Sequence, residues 1–354
     1  MNELPVTVRR SIELLGIFAV GFIIAAGRNI IMPLLLAVFL SILVLPVFRL
    51  FRRSGAPEVP AIIISMIAMS LVAGGVGWLL YRQASSLLQD MPVISGNVTR
   101  LLDRVSIWVS KVFGYSADEQ LKIIDQNSSR LLTIAGAAAK QLASSLSSWF
   151  VFFGLLPVYI FFVLLYRGIF VKFISMSVKN GGQKDVSEVL ILLEAVVKRY
   201  LLGLIFQFGY IIILLGGLLA LMGIKHGLLI AILFAFLNLI PYLGPLIGNL
   251  LGVAIVLASS DRLWDALIVF GAIAVVQFLD NNILMPRIVG SQVKINALVS
   301  IIGIFIGGAL AGISGMFLAM PVIAVMKILF DHSTRYRNWG VLLGDERPKD
   351  ADGR

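Results

Sequence analysis

Eight stretches of this 354-residue chain are apolar over lengths that suit the inside of a membrane better than water. A helix needs roughly 20 apolar residues, within a range of about 17–25, to cross the hydrocarbon of a bilayer. Runs that meet this requirement lie at 11–27, 30–48, 59–81 and 149–166, and a second group lies at 200–223, 227–259, 263–285 and 297–330. Composition agrees: 59% of the residues are hydrophobic, 14% are charged and the mean hydropathy is +0.98. A soluble domain is nearer half apolar and a quarter charged, and it could not expose this much hydrocarbon to water. The expected fold is therefore all-α, a polytopic transmembrane helical protein of about eight membrane segments.

Four regions follow from the spacing of these runs. Residues 1–81 form N-terminal membrane helices, 82–148 an extramembrane insert, 149–330 a C-terminal membrane transport region, and 331–354 a cytoplasmic tail. The insert holds five acidic and seven basic residues. Within it Val98, Leu101, Leu102, Val105, Trp108, Val109 and Val112 recur at helical spacing. One apolar stripe on a polar helix predicts an amphipathic element packed on a neighbouring helix, not a span.

The net charge of +10 raises the question of nucleic acid. The basic residues sit between apolar runs, where anchoring to anionic lipid and setting topology explain them, so no nucleic-acid partner is expected. Cysteine is absent, which excludes disulfides, thiolate metal sites and a cysteine nucleophile. The two histidines, His226 and His332, have no partners at ligand spacing, so no metal is expected. The sequence has no HExxH, GxSxG or P-loop motif. No enzyme, no cofactor and no ATP-driven pump is expected.

Arg9 and Arg10 precede an apolar stretch resembling a signal peptide, but a second apolar run follows at once, so this stretch reads as an uncleaved first span. Short loops rich in Lys and Arg stay in the cytoplasm. Eight spans place Arg9, Arg10, Arg49, Arg52, Arg53, the basic residues from Arg167 to Arg199, Arg262 and the tail inside. Both termini are thereby expected to be cytoplasmic.

Residues 227–259 are too long for one straight span, and the middle reads Asn238-Leu-Ile-Pro241-Tyr242-Leu-Gly244-Pro245. Two prolines four apart remove backbone donors and clash with the preceding turn, so a helix must break there. In hydrocarbon such a break is tolerated where it lines protein or a watery cavity, and in transporters it marks substrate or ion sites. The break is expected to line a water-accessible cavity that a Leu at Gly244 would fill. The last run repeats the feature with Gly303, Gly307, Gly308, Gly312 and Gly315 before Pro321. Close helix packing is the preferred reading of these glycines, and a second broken helix is the other.

These residues resemble the autoinducer-2 exporter (AI-2E) family of bacterial membrane proteins. The matching segments are NLIPYLGPLIG from Asn238 to Gly248, VQFLDNNILMPRIVG from Val276 to Gly290, and the glycine-rich run ending in MPVIAVMK at Lys327. The resemblance implies a secondary transporter of the bacterial inner (plasma) membrane. Members are linked to export of a small signalling molecule or to cation/proton antiport, and assemble as homo-oligomers, with a pentamer the implied form. The family pattern implies a Gln soon after Arg199-Tyr200 and Gly203, whereas position 204 is Leu and the nearest Gln is Gln207.

A buried carboxylate is costly in its charged form, which suits a group that exchanges a proton for a cation. Asp280, inside the second segment, is the acid in that position; its bland alternative is a hydrated helix-end residue paired with Arg287. Asn238, Gln277, Asn281 and Asn282 carry amides able to satisfy freed carbonyls or a polar solute, and Tyr242 is an interface aromatic or a gate. With Pro241, Gly244, Pro245, Pro286, Gly290, Gly307, Gly308 and Gly312 they make up the expected transport pathway, with no catalytic residue among them. The expected partners are a small polar solute, or a monovalent cation and a proton, together with membrane lipid. The competing class is an oligomeric channel.

Overall fold

Helices are the regular elements of the computed structural model, which describes residues 5–113, 146–177, 183–260, 262–284, 295–333 and 336–345. In chain order they are α1 (Val6–Ala26), α2 (Arg28–Arg53), α3 (Glu58–Gln89), α4 (Met91–Phe113), α5 (Leu146–Ser177) and α6 (Gln183–Leu221). Then come α7 (Gly227–Leu237), α8 (Leu243–Ser259), α9 (Leu263–Leu279), a π-helical turn (Asp280–Leu284), α10 (Ala297–Asp331) and α11 (Arg337–Leu343). Among the described residues six helices have the length and hydropathy to cross a membrane: α2, α3, α5, α6, α9 with its π-turn, and α10. The chain is a multi-pass membrane protein.

Two compact units make up the chain. The first comprises Met1–Met69, Phe152–Gly203 and Val289–Arg354, the second Ser70–Val151 and Leu204–Ile288. In the first unit, α1, α2 and α10 pack together and α11 folds against α10. Phe48, Ile62, Ile160 and Leu164 are among the buried residues of one core cluster, and Met32, Phe39, Val197, Leu201 and Leu318 form another. Two ion pairs stand beside these cores, Arg49 to Glu194 at 2.9 Å and Arg167 to Glu58 at 3.1 Å. Glu194 of α6 is thus engaged from α2.

α10 is not one straight span. A Cβ built on Gly307 would meet the Gly315 carbonyl oxygen at 2.4 Å, and one on Gly303 would meet Ile323 Cδ1 at 2.2 Å. Twenty residues along a straight helix cover about 30 Å, so these contacts require the segment to fold back on itself. The reversal is at Ala311–Gly312, where Gly312 has φ +63° and ψ −144°, a combination that suits glycine. Close packing and a broken helix are therefore the same fact here: the glycines let the two arms of one hairpin touch.

In the second unit the run 227–259 is likewise a hairpin. α7 and α8 pack on each other, α8 packs on α9 and on α4, and Gly248 and Gly252 lie against Phe234 and Ile230. At about 17 Å and 26 Å these arms fall short of a hydrocarbon core of about 30 Å. The expectation of eight segments counted this run and 297–330 among them; each is a hairpin of two shorter arms. The buried cluster of this unit joins Ile211, Leu215 and Leu219 of α6 to Ile230 and Phe234 of α7 and to Val269, Ile273 and Val276 of α9.

At the outer rim of this unit Asp90, between α3 and α4, receives Lys225 Nζ at 2.9 Å and lies 3.0 Å from His226 Nε2. The hydrogen bond from Lys225 holds the Asp90 carboxyl below the ordinary carboxylate range. A lowered folded-state value means the pairing stabilises at neutral pH and is lost as pH falls through that value. The amphipathic insert begins as expected with a helix over the stripe, α4, and the rest of the insert from 114 to 145 lies outside the described residues.

Candidate transport site at the tip of the hairpin

Three buried stripes converge in the second unit, and each carries a polar residue where an apolar one would continue the pattern. On α6 the buried side reads Leu204, Gln207, Ile211, Leu215, Leu219. On α7 Ile230 and Phe234 are followed at the same spacing by Asn238, and on α9 Val269, Ile273 and Val276 are followed by Asp280. Helical spacing of three or four keeps these residues on one face, so the polar groups meet where the stripes meet.

Asp280 is 1% exposed. Its Oδ2 accepts hydrogen bonds from Gln207 Nε2 at 2.8 Å and Asn238 Nδ2 at 3.0 Å, and its Oδ1 accepts from the Tyr210 hydroxyl. Gln207 and Tyr210 stand three apart on α6 and so share a face. Asn238 caps the C-terminus of α7, and Asp280 opens the π-turn, a wider turn that occurs at functional sites. The burial excludes the alternative of a hydrated helix-end carboxylate. Arg287, its suggested partner, lies outside the described residues.

Three donors offset the cost of burying the carboxylate. Taking a carboxylate out of water costs several kcal/mol even after relaxation. Hydrogen bonds to a charged group contribute about 1.5–3 kcal/mol each, so three donors offset a penalty of that order without a large surplus. Among the described residues no Lys, Arg or His forms an ion pair with Asp280.

Chain lengths place the cluster deep in the unit. Gln207 is about 21 Å along α6 from Leu221, Asn238 about 17 Å along α7 from Gly227, and Asp280 about 26 Å along α9 from Leu263. These helix ends share the side where the hairpin has its base, so three paths put the cluster about 17–26 Å from that base.

The hairpin tip positions Asn238. Its backbone closes on itself: Asn238 N donates to Phe234 O at 2.8 Å, Ile240 N to Leu237 O at 3.0 Å and Gly244 N to Ile240 O at 2.9 Å. Pro241 and Pro245 are half-buried there, and Tyr242 is exposed with φ +66°. A Cβ on Gly244 would meet the Leu237 carbonyl oxygen at 2.0 Å and Asn238 Cα at 2.6 Å. The space at Gly244 is occupied by the opposite arm, which overturns the expectation of a cavity that a Leu could fill.

The remaining sequence candidates are elsewhere. Gln277 Nε2 donates to Asn281 Oδ1 at 2.9 Å and Asn282 Nδ2 to Phe278 O at 2.9 Å, so the exposed Asn281 and Asn282 turn away from Asp280. Gly307, Gly308 and Gly312 belong to the hairpin of the first unit. Pro286 and Gly290 lie outside the described residues. Sequence reasoning left Gln207 without a role and passed over Tyr210; the signal for Gln207 was a lone amide on an otherwise apolar stripe.

The family profile of AI-2E family transporters matches residues 13–335 of the chain. The protein belongs to the AI-2E family. Its relatives include YrrI of Bacillus subtilis (strain 168), 26% identical over 318 residues, which cover 88% of each chain. YhhT of Escherichia coli (strain K12) is 26% identical over 328 residues, covering 92% of this chain and 91% of the relative. The AI-2 transport protein TqsA of Escherichia coli (strain K12) is 25% identical over 333 residues, covering 90% of each chain. This AI-2E protein is accordingly a membrane transporter, and the Asp280 cluster is the polar centre of its second unit.

Proposed function

We propose that this AI-2E protein is a secondary transporter of the bacterial inner membrane that exports a small polar solute or exchanges a cation for protons, with Asp280 carrying the load. The observation that supports the reading is the carboxylate of Asp280, buried in a crossing helix and held by Gln207, Tyr210 and Asn238. Intramembrane carboxylates are expensive and serve substrate or proton pathways. A homo-oligomer, with five copies implied by the family resemblance, is part of the same proposal. Driven counterflow in proteoliposomes tests it. A carrier accumulates labelled solute or cation against its gradient when loaded from the opposite side; simple equilibration identifies an oligomeric channel and sinks the carrier reading.

The hairpins also support a proposal for orientation. With 227–259 and 297–331 entering and leaving on one side, α1, α2, α3, α5, α6 and α9 remain as crossings. Their number is even, so both termini stay on the cytoplasmic side. Arg262 now falls outside, and Arg287 and Lys294 fall inside. The short outside loops then hold Arg28, Lys225 and Arg262, a stronger basic asymmetry than eight spans give. In the cysteine-free background, single cysteines at Ser54 and Ser333 should resist an impermeant thiol reagent applied to intact cells, while one at Arg262 is labelled. Protection at 262 with labelling after lysis would restore 227–259 as a full crossing.

A further inference from the structure

Every hydrogen bond that holds Asp280 is one it accepts, from two amide nitrogens and a phenol. That set suits the ionised carboxylate. Once the carboxyl carries a proton it becomes a donor itself and needs an acceptor. Gln207 is 3% exposed, and its Oε1 is buried and accepts no hydrogen bond from any described residue. A buried carbonyl oxygen left without a partner costs about 1–3 kcal/mol and calls for a reason.

We propose that Gln207 is the positioning amide of the Asp280 site, turning end for end as the load on Asp280 changes. This rests on the transport reading of Asp280. With the carboxylate ionised, Nε2 donates and Oε1 is idle. With the carboxyl protonated, a half-turn of the terminal amide brings Oε1 to accept the new O–H, and Nε2 takes the idle place. Both arrangements make one hydrogen bond between Gln207 and Asp280 and leave one amide atom idle. The one amide thus serves both load states, the ionised one through the stronger, charge-assisted bond. A cation beside the carboxylate asks for the same turn, because it too needs oxygen and not N–H.

The other groups facing Asp280 do not supply this. From α6 the titratable neighbour is Tyr210, whose hydroxyl donates to Oδ1; if its oxygen accepted the new O–H instead, its own proton would need another acceptor. From the hairpin tip the facing group is Asn238, whose backbone is held at the α7 cap and whose side chain has one fewer rotatable bond than Gln. From α9 and the π-turn, Gln277 Nε2 is bonded to Asn281 Oδ1; Gln277 Oε1 is also buried without a partner, but no hydrogen bond links Gln277 to Asp280. No described Lys, Arg or His lies within ion-pair reach.

Infrared difference spectra of the full-length protein in liposomes, acid minus alkaline, read the turn directly. The wild type should show a carboxylic-acid C=O band that Asp280→Asn removes, accompanied by a side-chain amide C=O change that Gln207→Met removes. The transport pH profile of Gln207→Met should move about one unit to the alkaline side, because the ionised form loses a stronger bond than the protonated form. If Gln207→Met does not fold, Gln207→Leu removes the amide band equally without adding a carboxyl that titrates. An Asp280-dependent acid band without any Gln207-dependent amide band overturns the turning amide and leaves the Asp280 reading standing. Absence of the acid band overturns both.

Discussion

Asp280→Asn is expected to abolish the pH dependence of transport and to lower the coupled rate by about 100-fold or more, with the folded protein retained. The magnitude follows from leaving a bound cation or its charge without a buried partner, about 3–5 kcal/mol, at tenfold per 1.4 kcal/mol. Asparagine keeps the size of the side chain and can still bond Tyr210 and one of the two neighbouring amides, so the cluster loses its charge without losing its shape. The measurement is solute or cation flux in proteoliposomes over a range of pH, beside the melting temperature and elution volume in detergent. A variant that keeps the wild-type pH profile reduces Asp280 to a structural helix-end residue. A variant that fails to fold is separated from one that fails to transport by the melting and elution data, and Asp280→Glu then serves, since it restores the charge one methylene away.

How much of this could be read beforehand follows from the kind of signal involved. Hydropathy marks α2, α3, α5, α6 and α9 because crossing a membrane imposes length and apolarity on consecutive residues, a local property of the chain. The break at Pro241–Pro245 was equally legible, since proline acts on its own turn. Whether a broken run goes through or turns back depends on which residues touch across the break. That information sits in pairs such as Gly244 with Leu237 and Gly307 with Gly315, and single-residue propensity does not contain it. The same limit explains the site. Asp280 and Asn238 were found as polar residues in unusual segments. Tyr210 is unremarkable in an apolar helix, where an aromatic needs no explanation. Gln207 stood out against Leu204, Ile211, Leu215 and Leu219, but its partner lies 73 residues away on another helix. Asn281 and Asn282, neighbours of Asp280 in sequence, point elsewhere because successive residues on a helix face different directions.

The hairpin tip carries the other large expectation. Gly244→Ala should destabilise the protein by about 3 kcal/mol, the upper range for forcing an extra carbon into a filled space. A larger residue such as Leu should prevent accumulation of folded protein. The Cβ has nowhere to go: it would stand 2.0 Å from the Leu237 oxygen and 2.4 Å from the Leu237 carbonyl carbon, and backbone atoms cannot rotate aside as a side-chain end can. The arms must part, and the first group to move is Asn238, whose Cα lies 2.6 Å from the same point and whose amide holds Asp280 Oδ2. Transport should therefore fall together with the melting temperature. Gly217→Ala in α6 is the matched control, for a Cβ there meets nothing within 4 Å, and it should leave both quantities as they are. If Gly244→Ala melts and transports like the wild type, the α7 and α8 arms do not close at Gly244, and Asn238 is not held on Asp280 by the tip.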